Sequence, residues 1–141
     1  MVLHSKGLIY DFYLYGKNEI DNIWESIEDQ VGRTDDEFLN KDDIKKYLKE
    51  GYYLLCTIND KTNNIVAVIT IEFVYYPSHK MCRIVTISGK DMDKWIDKGI
   101  ALLEEFAIKH ECTHIDMYGR RGWKKILKDY KEDCILLRKR L

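Results

Sequence analysis

The sequence predicts an α/β (α+β) single domain, residues 1–141, with elements in the order β-α-α-β-β-β-α-β-α-β around a mixed central sheet. Three observations predict it. The chain has 141 residues, 45% hydrophobic and 33% charged, enough to bury one core and short for two. Its strand-like runs group in the middle, with three in succession. One long amphipathic helix follows the third of them.

The first run, "LIYDFYLYG" (8–16), alternates as a strand does, and Ile20, Ile23, Trp24, Ile27 and Val31 then recur at helical spacing. Residues 34–51, "TDDEFLNKDDIKKYLKEG", open with acids and close with Lys49 before Gly51, as a dipole-matched helix should, with a break expected near Asn40. Phe38, Leu39, Ile44, Tyr47 and Leu48 would form its apolar side. "YYLLCTIN", the turn "DKTNN" and "IVAVITIEFVYY" predict a hairpin, rich in β-branched and aromatic residues. "MCRIVTIS" (81–88) is the next strand, after the turn at Pro77.

From Asp91 to about His110, Met92, Trp95, Ile96, Gly99, Ile100, Leu103, Phe106 and Ala107 repeat at three and four. They predict a helix about 30 Å long. "THIDMYG" (113–119) predicts a short strand, "RRGWKKILKDY" (120–130) a short helix and "DCILLRKRL" (133–141) a terminal strand.

A formal net charge of -1 gives no global pull toward nucleic acid or anionic membrane. Cys56, Cys82, Cys112 and Cys134 are far apart, form no C-x-x-C pair and fall in or beside strand-like runs, so they read as buried thiols. The opening residues carry no signal-peptide pattern, and no run approaches a membrane span. A soluble cytoplasmic protein is expected.

The stretch "TISGKDMDKW" (86–95) leads into the long helix. A phosphate cradle needs backbone N–H groups at a helix N-terminus, usually reached through glycines. Here Gly89 is the lone glycine, Lys90 offers a counter-charge, and Asp91 and Asp93 compete for the positive end of the dipole. Two readings stay open: a phosphate site, or plain capping by Ser88 with Asp91 in a capping-box position.

"HECTH", His110 to His114, has the H-E-x-x-H pattern of a helical zinc site. Its last residues fall in a strand-like run, so the sequence predicts a helix-end histidine and no metal. Arg120, Arg121, Lys124, Lys125 and Lys128, joined by Arg138, Lys139 and Arg140, read either as a solvated face or as contacts to a phosphate group. Trp123 precedes Ile126 and Leu127 by three and four and reads as a core anchor.

The element order, with "ISGKDMDKW" before a long helix and "HIDMYGRRGWKKIL" after it, resembles the GNAT-type N-acetyltransferase superfamily. It looks most like the small GNAT-like proteins of tailed phages, the internal virion protein of the T7 group among them. The resemblance covers nearly the whole chain but is one of order more than of motif, since the family's Q/R-x-x-G-x-G/A loop is matched only by Gly89; the family's last strand has no counterpart before Leu141.

It implies acetyl-CoA as cofactor, lying between "MCRIVTIS" and "THIDMYG", with Ile87, Ser88, Gly89, Lys90, Arg120 and Arg121 binding it. Acyl transfer to an amine needs a base and an acid. Glu72, the one acid inside "IVAVITIEFVYY", is the candidate base, unless it simply faces solvent. Tyr118 is the candidate acid, near where the family places a tyrosine early in the last helix; this chain has Trp123, Lys124 and Lys125 at that place and Tyr130 beyond. The implied function is an acyl-CoA-dependent N-acyltransferase of phage origin with a degenerate cofactor loop. The alternative is a catalytically inactive GNAT-fold protein that binds a phage or host protein, as a virion component or host-directed factor. Nucleic acid is the weaker partner reading, and no membrane partner is expected.

Overall fold

The computed structural model describes residues 2–4 and 9–141. Six strands lie in the order β1-β2-β3-β4-β5-β6: β1 (Val2–His4), β2 (Tyr10–Tyr15), β3 (Leu54–Asp60), β4 (Ile65–Tyr75), β5 (Lys80–Gly89) and β6 (His114–Met117). All neighbours pair antiparallel except β5 and β6, which are parallel, so the sheet is mixed as expected. β1 extends the sheet beyond the predicted first strand; Leu8, part of that prediction, lies outside the described residues.

Helices cover both faces. On one, α1 (Ile20–Gly32) and α2 (Lys41–Glu50) bury Ile20, Trp24, Ile27, Val31, Ile44 and Leu48 against Leu55 and Val68. On the other, α3 (Met92–Lys109) buries Trp95, Ile100, Leu103 and Phe106 against Phe12, Ile58, Ile69, Ile71 and Ile84. The long helix stands where its periodicity put it. The half-buried Trp123 of the single helical turn α4 (Trp123–Ile126) and Leu127 just after it pack on the same α3 side, as the spacing of Trp123 predicts, while Ile126 is exposed.

Three expectations are corrected. The second helix begins only at Lys41, because Asn40 caps it: its side chain accepts from the Asp42 and Asp43 N–H groups while Asp43 reaches back to the Asn40 N–H. Asp36 meanwhile takes the Phe38 and Leu39 N–H groups in a turn that leaves Phe38 exposed. The predicted helix over 120–130 shrinks to one turn. Residues 133–141 form no strand: Ile135, Leu136 and Leu137 run consecutively instead of alternating, so no register buries all three on one side, and each stays exposed.

Two bulges shape the centre. Ile58 pairs with Ala67 and Asn59 with Ile65, leaving Val66 extra on β4. Thr70 pairs with Thr86 and Ile71 with Ile84, leaving Val85 extra on β5. Cys82 and Ile84 therefore face α3 before the bulge, and Ile87 after it.

Candidate functional site

β6 pairs with β5 only from Met81↔His114 to Ile84↔Met117. Residues 85–89 of β5 continue without β6, so the two strands part at the Val85 bulge. Past that apex, no strand among the described residues pairs with β5 on the side away from β4, which leaves an open strand edge there.

Beside the apex, on the α1/α2 face, a polar row crosses three strands. Glu72 on β4 pairs in register with Arg83 on β5, and Arg83 with Asp116 on β6. Arg83 and Asp116 form a two-point ion pair, Nε to Oδ1 at 2.9 Å and Nη2 to Oδ2 at 3.0 Å. This fork-to-carboxylate geometry is the strong kind of ion pair. The Asp116 hydrogen bond is the main reason the Arg83 proton is held even more tightly than usual, and Tyr76 adds to it. The Tyr118 ring lies 4.7 Å from the same guanidinium. One row deeper, the buried Thr70 and Thr86 hydroxyls meet at 2.7 Å.

Glu72 and Tyr118 thus come to one face, on two sides of Arg83. Arg83, Asp116 and Tyr76 were missed as site residues in the sequence. The signal was there: Arg83 stands between Cys82 and Ile84, and Asp116 between Ile115 and Met117, each a charge at the odd position of a strand.

The stretch 87–90 starts the helix as expected, but its polar groups have internal partners. Ile87 is buried against the α3 layer. The Ser88 hydroxyl donates to the Gln30 carbonyl at 2.7 Å, at the end of α1, so it does not cap α3. That corrects the capping reading: Asp91 is the cap residue, in the left-handed region at φ 51°, and its side chain makes no capping hydrogen bond. Only two residues, Lys90 and Asp91, join β5 to α3. The Lys90 N–H donates to the Val66 carbonyl at 3.0 Å, and the Lys90 carbonyl accepts from Trp95 Nε1 at 2.8 Å. Its side chain is exposed, as are Arg120 and Arg121 after β6. Gly89 is required by packing: a Cβ there would lie 2.5 Å from the Val66 oxygen and 2.7 Å from the Trp95 ring.

The "HECTH" histidines separate as the strand-like context predicts. α3 ends at Lys109, His110 stacks on Phe73 and lies tilted against Phe106, and His114 sits in β6 beside His79. Of the four cysteines, Cys56 and Cys82 are buried, Cys112 is half-buried and Cys134 is exposed, which corrects the expectation of four buried thiols.

No family model and no curated protein matches the sequence. Solved structures do match. A GNAT family acetyltransferase from Staphylococcus aureus is similar at 16% identity with a TM-score of 0.68, over 95% of this chain and 100% of that one. A ribosomal-protein-alanine N-acetyltransferase from Brucella melitensis is similar at 13% identity with a TM-score of 0.68, over 94% of this chain and 99% of that one. The chain has the GNAT fold. A glucosamine-6-phosphate N-acetyltransferase from Arabidopsis thaliana shares the GNAT fold at 13% identity and TM-score 0.64, over 92% of this chain and 97% of that one. In this fold β5 and β6 part beyond the Ile84↔Met117 pair, and no helix among the described residues is long and apolar enough to cross a membrane.

Proposed function

We propose that the chain is a GNAT-like, acyl-CoA-dependent N-acyltransferase, phage-encoded, with a reduced cofactor loop. The observation that carries this reading is the open edge of β5 beyond the Val85 bulge, with Glu72 and Tyr118 next to its apex. An open edge suits an extended, amide-bearing arm such as that of acyl-CoA, which can pair with it as a strand would. When bound, acetyl-CoA would supply the activated acyl thioester.

The chain's own residues then have defined tasks. Glu72 accepts the proton that the acceptor amine loses as its nitrogen bonds to the acyl carbon, and Tyr118 gives a proton to the thiolate released when the carbon–sulfur bond breaks. Ile87, Ser88 and Gly89 lie along the stretch of β5 that carries the open edge, and the exposed Lys90 ammonium with Arg120 and Arg121 offers counter-charge to the phosphates. Calorimetry with acetyl-CoA is the direct test. A measurable heat, with thiol release when an amine is added, is the expected result; no heat at millimolar acetyl-CoA overturns the reading.

A second reading has its own support. The connection from β5 to α3 is two residues long, Lys90 has committed its backbone groups, and Asp91 and Asp93 stand at the helix start. These favour a GNAT-fold protein that binds a phage or host protein without catalysis. Co-sedimentation with purified virions or with a defined host partner, in a chain that shows no acetyl-CoA turnover, is its expected signature.

A further inference from the structure

The sheet face around Glu72 carries more tyrosine than the proposed chemistry uses. Alternation along the strands puts Tyr53, Glu72, Tyr76, Arg83, Asp116 and Tyr118 on the α1/α2 side. Tyr53 precedes Leu54, whose partner is Ile71, so it stands next to Glu72. Burial, and after it the Glu72 charge, raises the Tyr53 phenol above its ordinary value, in keeping with that closeness. Tyr47 of α2 backs Tyr53 at 5.2 Å between ring centroids. Tyr76 and Tyr118 are 50% and 67% exposed, so α1 and α2 leave this face accessible.

The charge balance of the patch is specific. Arg83 is neutralised by its two-point contact with Asp116, while among the described residues Glu72 forms no ion pair. One carboxylate without a counter-ion, between tyrosine rings, matches a single positive charge on an apolar body: the ammonium meets Glu72 and the rings meet the body and the charge. A polycation would need several free carboxylates, and an anion would face Glu72 with Arg83 already occupied.

We infer that this face is the acceptor subsite of the proposed transferase, and that it takes a monovalent primary amine on an apolar or aromatic body, with Glu72 as counter-ion and Tyr53, Tyr76 and Tyr118 as its walls. The inference rests on the acyl-transfer reading for the reaction but not for the binding. Pairing the ammonium with Glu72 places its first proton against the carboxylate, which passes it to solvent over the exposed Tyr76 and Tyr118; the neutral nitrogen then attacks the acyl carbon, and Glu72 accepts the second proton as the amide forms.

The test uses 2-phenylethylamine, its neutral analogue 2-phenylethanol, spermidine and an aminoglycoside, each titrated by NMR without acetyl-CoA and then assayed for thiol release with it. The amine is expected to bind at least tenfold tighter than the alcohol. Glu72→Gln, a near-isosteric change, should erase most of that preference, and Tyr118→Leu should weaken the amine severalfold while leaving the alcohol little changed. With acetyl-CoA, 2-phenylethylamine should exceed spermidine and the aminoglycoside in kcat/KM by tenfold or more. Preference for either polycation, or an amine affinity untouched by Glu72→Gln, overturns the inference. Glu72-dependent amine binding in a chain that gives no heat with acetyl-CoA would sustain the subsite and overturn only the transferase reading.

Discussion

Replacing Gly89 by alanine separates two reasons for a glycine at the start of the long helix. If Gly89 is there to let a phosphate approach, the change should matter only when a ligand is bound. The contacts say otherwise: the new methyl would stand 2.5 Å from the Val66 carbonyl oxygen, 2.7 Å from Trp95 Cζ2 and 3.0 Å from the Ala67 Cα. Two of these three atoms are backbone, so relief requires β4 and β5 to move apart where the Lys90 N–H meets Val66. Overpacking a tight core typically costs about 1–3 kcal/mol, and rigid backbone neighbours put this case near about 2–3 kcal/mol. That is a large share of the roughly 5–15 kcal/mol that holds a typical domain. Urea unfolding of the ligand-free chain, followed by fluorescence, measures it directly. The control is Gly122→Ala, where a Cβ meets nothing within 4 Å and the backbone is already helical, so the expected change is zero or slightly stabilising. Loss of less than about 0.5 kcal/mol in Gly89→Ala would refute the packing argument, since overpacking against rigid backbone costs more than that.

Four other outcomes follow from the same geometry. Asp91→Gly should hold or raise stability by a few tenths of a kcal/mol by thermal unfolding, because Asp91 is left-handed and its side chain caps nothing; in a chain that binds acetyl-CoA it should also tighten binding, and weaker binding would separate the phosphates from this helix end. Asn40→Ala removes the cap of α2 and should cost about 1 kcal/mol in the same urea assay. At pH 8, a thiol reagent should label Cys134 first and Cys82 only on unfolding, as burial chiefly, with a smaller contribution from Cys112, pushes the Cys82 thiol up to about 12. Hydrogen bonds from Thr62 and Asn64 hold the Asp60 carboxyl below its ordinary value, so its contribution is present above the unfolded value near about 3.9 and lost as pH falls through the lower folded value; Asp60→Asn should flatten that acid limb.

Legibility in the sequence followed the scale of the signal. α3 could be read because many residues repeat one period, and of its buried residues only Leu102 had escaped the pattern. The β3–β4 hairpin could be read because its turn chemistry is local, with Asp60 accepting from Thr62 and Asn64. The second helix was overextended because Phe38 and Leu39 continue its apolar pattern, while Asn40 decides the start through hydrogen bonds that periodicity does not weigh. The terminal strand was overread from composition where alternation was lacking. At the candidate site, Glu72 stood out as the acid of its run, but its neighbours did not. Arg83 and Asp116 are 33 residues apart and meet only through the parallel pairing of β5 and β6, which no local pattern encodes. The bulge at Val85 is harder still, since one unpaired residue changes no composition and shows only in the register with β4.

That one residue has a bearing on how the chain could change by insertion or deletion. Most single deletions within a strand shift everything after them to the opposite face, and here that would turn Ile87 out of the core and Ser88 away from Gln30. Removing Val85 alone does the reverse: Ile84 and Thr86 become consecutive, their present partners Ile71 and Thr70 are already consecutive, and every side chain keeps its face. A chain lacking Val85 could fold with an unbroken ladder, yet it would lose the kink at which β5 leaves β6. The fold could spare this residue; what it supports is the opening, so a lineage that no longer used the opening would have a one-codon route to closing it.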